Sequence, residues 1–462
     1  VDETFASLAR RTATEVSTRP LYVRLAEQLE RRLLLSGAAA LPSARSLAAA
    51  SGINRATVTA AYRELARRRL IELKVGRPGR QQRRAAVAEA ANEPPHGALD
   101  LARYAPDREL LPAGEVFTWL GLGGAEGEGL TQYGSAEGYL PLRSWLAERL
   151  GRLGVRVKPG EIVLTSGVQH GLDLLLRAFT RAGDTLAVED PTYPGLPPLL
   201  AAHHLRPVGV PAALAPANPE EVCRAVRDAG ARLAVITPTL HNPTGLVMDL
   251  AARERLLAGM AGGEALLVEE FFDPDLVGEG EVPPPLGALS RQVVTVGSFS
   301  KSLFPGLRVG WLTGPPRVVE AVLAVKRATD LSGSPFLEAA AWTLCQRGVL
   351  ERQLERLRRV AVDRREVVLA GLEQAPPGVR WTRPAGGFSL LVALPEGIGS
   401  RAVAARAARA GVWVLPGPAM SVSGRDDVLR VAYAAVGGTE LRRAVNGVVE
   451  ALGGSTRSLP LV

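Results

Sequence analysis

The sequence predicts an α/β protein in two parts: a small N-terminal winged helix-turn-helix, and a large body whose mainly parallel sheet is covered by helices. Three observations predict this. Positive charge is concentrated in the first fifth of the chain, where residues 1–84 hold 17 Lys+Arg against 7 Asp+Glu, while the formal net charge of the whole is +8. Two short helical patterns in that fifth are joined by Ser51-Gly52, a tight turn. Beyond about Asp100, short apolar runs alternate with helical patterns and end in Gly- or Pro-bearing loops.

The chain has 462 residues, 47% of them apolar, enough for more than one buried core. Its charge excess in one segment suggests a polyanion-binding module on a near-neutral body. Cys223 and Cys345 stand far apart and make no disulfide or zinc pattern, which suits a reducing compartment, and no metal site is expected. No run of 18 apolar residues exists, so no membrane span is expected. The first residues, VDETFASLARR, lack the apolar core of a signal peptide, and the expected location is cytoplasmic.

In the basic segment, Leu21, Leu25, Leu29 and Leu33 recur at every fourth position after Pro20 and predict an amphipathic helix that Ser36-Gly37 ends. Ser43 is placed to cap a short helix, and Asn54 the next, which runs from Arg55 to about Arg68. Leu47, Ile53, Val58 and Tyr62 supply the apolar inner face. Arg55, Thr57 and Thr59 lie near the start of the second helix, where a helix-turn-helix meets base edges and phosphates. Leu70–Leu73 reads as a strand and Gly76-Arg77-Pro78-Gly79-Arg80 as a basic turn, together a wing.

The stretch LPSARSLAAASGINRATVTAAYREL resembles the winged helix-turn-helix of the GntR family of bacterial transcription regulators, over about residues 20–80. The resemblance implies a double-stranded DNA operator as partner, with Arg45, Asn54, Arg55, Thr57, Thr59 and Arg77 at the contact. The wing departs from the many members that close it with Gly-Thr-(Phe/Tyr)-Val, because Gly79 is followed here by Arg80-Gln81-Gln82. Residues 1–80 are thus expected to form the DNA-binding domain. Residues 81–98, QQRRAAVAEAANEPPHGA, lack sustained periodicity and read as a linker, with room for a short helix over Ala85–Ala91.

From residue 99 onward, the expected strands include Glu161–Leu164, Thr185–Val188, Leu233–Ile236, Ala265–Val268 and Gln292–Val296. Function in such sheets gathers in the loops at strand ends. Gly167-Val168-Gln169 ends a strand and opens a helix, so its N–H groups can hold a phosphate. Tyr193 follows the next strand, Asn242 sits in His241-Asn242-Pro243-Thr244-Gly245, and Glu269, Glu270 and Asp273 follow another. Ser298 to Arg308 brings Ser298, Ser300, Lys301 and Arg308 together. Only four of the 55 basic residues are lysine: Lys74, Lys158, Lys301 and Lys326. Arginine supplies charge equally well but cannot become a nucleophilic amine, so a lysine kept at 301 points to covalent chemistry with a carbonyl.

Together and in this order, these loops resemble fold-type I pyridoxal-phosphate enzymes of the aminotransferase class I/II group, over about residues 100–455. The resemblance implies pyridoxal 5′-phosphate as cofactor, a large part over about 130–340 and a smaller C-terminal α+β part over about 345–462. It implies Lys301 as the Schiff-base residue. Gly167, Val168, Gln169, Ser298, Ser300 and Arg308 would lie at the phosphate, Tyr193 on the ring, Asn242 at the ring oxygen and Glu270 at the ring nitrogen. Tyr133 resembles the tyrosine that reaches a neighbouring subunit's phosphate, and Arg430, in Val428-Leu429-Arg430-Val431-Ala432, resembles the arginine that binds an amino-acid carboxylate. Two positions depart from the pattern: Glu270 stands for the usual Asp, and Phe272 for a Tyr, which removes a hydroxyl. Loss of that hydroxyl is expected to change the acidity at the lysine–cofactor bond and weaken full transamination.

The pairing of the two halves resembles the MocR subfamily of GntR-family regulators. It implies a pyridoxal-phosphate-dependent transcription regulator that senses an amino acid, an amine or the cofactor itself, usually as a head-to-tail homodimer. The alternative is a working class I/II aminotransferase with an appended DNA-binding domain, and partial transaminase activity is compatible with the regulator.

Overall fold

The computed structural model describes residues 3–14, 20–36, 41–67, 71–72, 80–81, 94, 97–112, 130 and 132–454. The chain divides into two compact units, Val1–Ala88 and Glu89–Val462.

In the first unit, α1 (Glu3–Thr14), α2 (Leu21–Ser36), α3 (Ala44–Ser51) and α4 (Arg55–Arg67) are followed by a two-residue antiparallel pair, β1 (Ile71–Glu72) and β2 (Arg80–Gln81). The Ser43 hydroxyl accepts the Ser46 N–H at 3.1 Å and opens α3. Gly52, at φ 73°, ends α3 in the left-handed region, which glycine enters without strain. Asn54 Oδ1 accepts the Ala56 N–H at 2.8 Å at the start of α4. Leu47, Ile53, Val58 and Tyr62 are buried together, and the Tyr62 hydroxyl donates to the Pro42 carbonyl at 2.8 Å. The sequence reading did not include α1, whose Phe5 and Ala9 complete this core. The turn of the wing, with Arg77, lies outside the described residues, as does the stretch Ala85–Ala91.

In the second unit, β3 (Leu99–Asp100) precedes seven strands of one sheet: β4 (Ile162–Thr165), β5 (Thr185–Asp190), β6 (Arg206–Pro211), β7 (Leu233–Ile236), β8 (Leu266–Glu270), β9 (Val294–Ser298) and β10 (Gly310–Thr313). Their order is β4-β10-β9-β8-β7-β5-β6, and β10 alone runs antiparallel to its neighbours. The runs β4, β7 and β10 are buried at every position, as expected for strands covered on both faces. The expected strands are found with small shifts: Glu161 belongs to a preceding 3-10 turn, and the strand expected from Gln292 starts at Val294. The reading missed β6, an edge strand with Pro207 and Pro211, and β10. Because β10 is antiparallel, the residues entering it lie at the same sheet edge as the ends of the parallel strands.

The smaller part carries β11 (Arg380–Trp381), β12 (Ser389–Ala393), β13 (Val412–Trp413), β14 (Leu415–Pro416) and β15 (Val428–Ala432). Four of these form an antiparallel sheet in the order β11-β12-β15-β14, while β13 pairs in parallel with β3. The chain entering the second unit therefore joins the smaller part first. The smaller part also grips the loop after β7: Thr382 Oγ1 donates to the Thr244 carbonyl at 2.7 Å, and Ser389 Oγ to the Pro243 carbonyl at 2.8 Å.

One buried cation fixes that same loop from the other side. Arg253, with no exposed surface, donates to the carbonyls of Met248 (2.9 Å), Pro284 (3.0 Å) and Pro238 (2.8 Å) and to Thr239 Oγ1 (2.8 Å). The Pro238 carbonyl also accepts the Met248 N–H at 2.8 Å, but the carbonyls of Met248 and Pro284 would lose their side-chain donor without it. Arg253→Ala is expected to destabilise the second unit by about 3 kcal/mol or more. A urea titration that finds its midpoint unchanged would contradict this anchoring role.

Candidate functional site

The loops at the C-terminal sheet edge enclose a cavity of about 360 Å³ lined by residues from five of them, among them Val168, Gln169, Tyr193, Asn242, Glu270, Phe272, Ser298, Ser300, Lys301 and Arg308. At one end is a polar cradle. Gly167, at φ 98°, turns the chain from β4 into helix Val168–Phe179, whose first N–H groups have no partner within the helix. A Cβ on Gly167 would stand 3.2 Å from Arg308 Nη2, and one on Gly310 would stand 2.7 Å from the Gly167 Cα. Only glycine permits this approach. Arg308 Nη2 donates to the Ser166 carbonyl at 2.5 Å, and the Ser298 hydroxyl donates to Ser300 Oγ at 2.8 Å while accepting the Ser300 N–H at 3.0 Å. Two hydroxyls, a guanidinium and a helix N-terminus thus converge, a set that holds a phosphate.

Beside the cradle, Gln169 Nε2 donates to the Gly195 carbonyl at 3.0 Å, while its buried Oε1 has no partner. Tyr193 lines the cavity, and burial raises its hydroxyl to about 12. On β8, alternate residues divide the work. Glu269 points away, accepting the N–H groups of Leu286 (2.9 Å) and Gly287 (3.1 Å), and Glu270 points into the cavity, accepting from Thr237 Oγ1 at 3.3 Å. Burial raises the Glu270 carboxyl to about 7, against the pull of Thr237 and Lys301. Behind it, Glu189 accepts the Thr237 N–H at 2.7 Å, and its carboxyl is raised to about 8 by burial, with Glu270 adding to the shift.

At the opposite end, Lys301 Nζ donates to the backbone carbonyl of Tyr104 and stands 5.2 Å from the centre of that ring. Burial lowers its amine to about 8; Arg430 pushes the same way and Glu270 opposes. Arg430 comes from β15 and is buried. It donates to Asn242 Oδ1 at 2.9 Å and to the Ala102 carbonyl at 2.6 Å, and its Nε is buried without a partner. The bond to Oδ1 leaves the Asn242 NH₂ free to face a ligand. Phe272 is buried, 6.0 Å from the Tyr104 ring and 5.8 Å from Phe388, centre to centre. Tyr133 takes no part in its own chain's cavity and is 89% exposed.

Sequence reasoning missed Tyr104, Thr237 and Glu189; Asp273, noted there only as a strand-end carboxylate, is a cavity residue paired with Arg149 at 2.8 Å. Tyr104 carries no local signal, because it lies in an irregular segment far from any strand end of the large sheet. In the first unit, Arg45, Asn54 and Arg55 are exposed and Thr57 and Thr59 half-buried on α3 and α4, with the Asn54 carbonyl occupied by capping. Among the described residues, no helix is long and apolar enough to cross a membrane.

Residues 92–448 match the aminotransferase class I and II family. The chain belongs to that family. Residues 19–79 also match the bacterial regulatory proteins of the gntR family, so this aminotransferase-family chain has the domain pairing of MocR-type regulators. It is similar to the probable rhizopine catabolism regulatory protein MocR of Rhizobium meliloti, 26% identical over 382 residues that cover 76% of this chain and 77% of that protein. It is also similar to YdfD of Bacillus subtilis, an uncharacterized HTH-type transcriptional regulator, 26% identical over 441 residues covering 88% and 90%. Among solved structures it resembles LysN, the α-aminoadipate aminotransferase of Thermus thermophilus complexed with N-(5′-phosphopyridoxyl)-L-leucine. That likeness has a TM-score of 0.72 and 30% identity, and covers 78% of this chain and 92% of that one.

An amine lowered to about 8 is mostly protonated at neutral pH and becomes nucleophilic as pH rises through that value. The rate at which the protein condenses with a small aromatic aldehyde at Lys301 should rise with a midpoint near pH 8. Arg430→Met, which removes one of the charges lowering that amine, should move the midpoint to higher pH by about half a unit or more. A profile that stays in place would show that Arg430 has no influence on Lys301.

Proposed function

We propose that the protein is a pyridoxal-phosphate-dependent transcription regulator that binds a double-stranded DNA operator with its first unit and senses an amino acid or amine with its second. The observation that carries this reading is the pairing, in one chain, of a basic helix-turn-helix with a cavity lined by a half-buried lysine, Lys301. The residues present fit pyridoxal phosphate. The Gly167–Gly310 approach leaves backbone N–H groups open beside Arg308, and Gln169 Oε1 and Arg430 Nε are buried polar atoms awaiting partners. When bound, this group supplies an aldehyde for an amine and a ring that withdraws electrons.

The chain's own residues do the rest. Ser298, Ser300, Arg308 and the N–H groups of Val168 and Gln169 hold the phosphate. Tyr193 stacks on the ring, and the Asn242 NH₂ donates to the ring oxygen. Glu270, raised to about 7 chiefly by burial, would ionise beside a protonated ring nitrogen and hold its proton there. Lys301 supplies the amine, and Arg430 faces an effector's carboxylate once the Ala102 carbonyl gives way. Phe272, Tyr104 and Leu276 give the cavity an apolar wall beside Lys301.

Tyr133, exposed and outside its own cavity, suits the cavity of a second copy in a head-to-tail homodimer. A DNA-binding regulator of this kind acts in the cytoplasm. Exposure of Arg45 and Arg55 on α3 and α4 supports phosphate and base contacts there.

Coupling requires the effector to bind two states of the protein with different affinity. Operator affinity, measured by fluorescence anisotropy at fixed salt, should therefore change on adding cofactor and effector. Lys301→Ala should keep DNA binding and lose the response. Arg55→Ala should weaken binding and reduce the slope of log affinity against log salt by about one. Sustained turnover of an amino acid with a keto acid, together with no specific DNA binding, would overturn the regulator reading in favour of an enzyme.

A further inference from the structure

The cofactor's ring oxygen needs donors, and the residue beside it on β8's extension, Phe272, has none to offer. We propose that Tyr104 supplies the missing hydroxyl, donating to that oxygen from beside the Phe272 ring; the inference rests on the pyridoxal-phosphate reading above.

Three observations converge on Tyr104. The first is its hydroxyl. Among the described residues no protein group bonds it, although the residue is only 9% exposed and lines the cavity with Lys301 and Asn242. Two other buried tyrosines have partners: the Tyr62 hydroxyl donates to the Pro42 carbonyl at 2.8 Å and that of Tyr433 to the Gly386 carbonyl at 3.3 Å. A buried phenol without a protein partner at the wall of a cavity calls for a ligand atom.

The second is where the ring stands. Its centre is 6.0 Å from that of Phe272 and 5.8 Å from that of Phe388. Lys301 Nζ and Arg430 Cζ lie 5.2 Å and 5.3 Å from it. The phenol thus shares one small space with the amine that holds the cofactor and the ring that replaces a donor. Burial raises its pKa well above the ordinary value, and the Glu270 charge works the same way against Arg430, so the hydroxyl keeps its proton and acts as a donor.

The third is rigidity. The segment carrying Tyr104 is tied on both sides to chain at the end of β15 and just beyond it. The Ala432 N–H donates to the Leu101 carbonyl at 2.7 Å, the Asp107 N–H donates to the Ala434 carbonyl at 2.8 Å, and Asp107 pairs with Arg364 at 3.2 Å. β3, just before it, is paired with β13. A side chain held this way keeps its place when a ligand arrives, which a positioning donor requires.

A hydroxyl donating to the ring oxygen draws negative charge from it, so the proton shared with the Lys301 nitrogen is held less tightly. Removing the hydroxyl must raise the pH at which that proton leaves. The test loads the full chain with pyridoxal phosphate and records the pH midpoint of its visible absorbance change. Tyr104→Phe, which keeps the ring, should raise the midpoint by about one unit, a tenfold change in proton affinity. Adding Phe272→Tyr to that variant should return it toward the wild-type value, a rescue that a purely packing role for Tyr104 would not give. A midpoint unmoved by Tyr104→Phe, with the visible band intact, overturns this inference and leaves the cofactor reading standing. Absence of any visible band in the wild-type chain overturns the cofactor reading, and this inference with it.

Discussion

Burying an amine beside a guanidinium is the constraint around which the second unit is organised. Arg430 is buried and Lys301 half-buried beside the same Tyr104 ring, both carrying the same charge, and neither hydrogen-bonds a carboxylate. The structure meets the cost with neutral acceptors, namely the carbonyls of Ala102 and Tyr104 and the Asn242 side chain, with Glu270 as the nearest counter-charge. Such an arrangement lowers the amine to about 8 and keeps both groups ready for a ligand that brings its own negative charge. It also explains why the smaller part must dock on the sheet edge: Arg430 comes from β15, its partner Asn242 from the loop after β7, and Thr382 and Ser389 fasten that loop.

The segment that contributes those carbonyls follows directly on residues 81–98, which the sequence leads one to expect as a linker. Residues 99–107 therefore have two attachments: one to the ligand-facing groups of the second unit, and one, through the chain itself, to the basic first unit. A ligand that takes the place of the Ala102 and Tyr104 carbonyls changes what this segment is bonded to. That is the kind of differential contact a regulator needs if a small molecule is to bias two states.

Much of this was legible in the sequence, for physical reasons. Parallel strands buried on both faces read as apolar runs, and their ends carry the chemistry in short loops, so Tyr193, Asn242, Glu270 and Lys301 could be marked as strand-end residues, each weak alone and given a role by the resemblance of the ordered set; the fold gathers them in one cavity. The caps at Ser43 and Asn54 were legible because a short polar side chain before an apolar pattern has one economical use. Other features were not. β6, an edge strand, lacks the apolar run that marked the others, and β10 has an apolar run of only two, Trp311-Leu312, between Gly310 and Thr313. Helix Glu3–Thr14 hides its buried Phe5 and Ala9 among polar residues. Tyr104 was invisible because its place depends on contacts with chain more than 300 residues away, which no local pattern encodes.

One lysine among four carries the proposed chemistry. The most direct test loads the protein with pyridoxal phosphate, reduces the bond with borohydride and locates the modified residue by mass spectrometry of its peptides. The expected result is a pyridoxyl group on Lys301, with Lys74, Lys158 and Lys326 unmodified at stoichiometric loading. Modification centred on any of those three, or none at all, would contradict it.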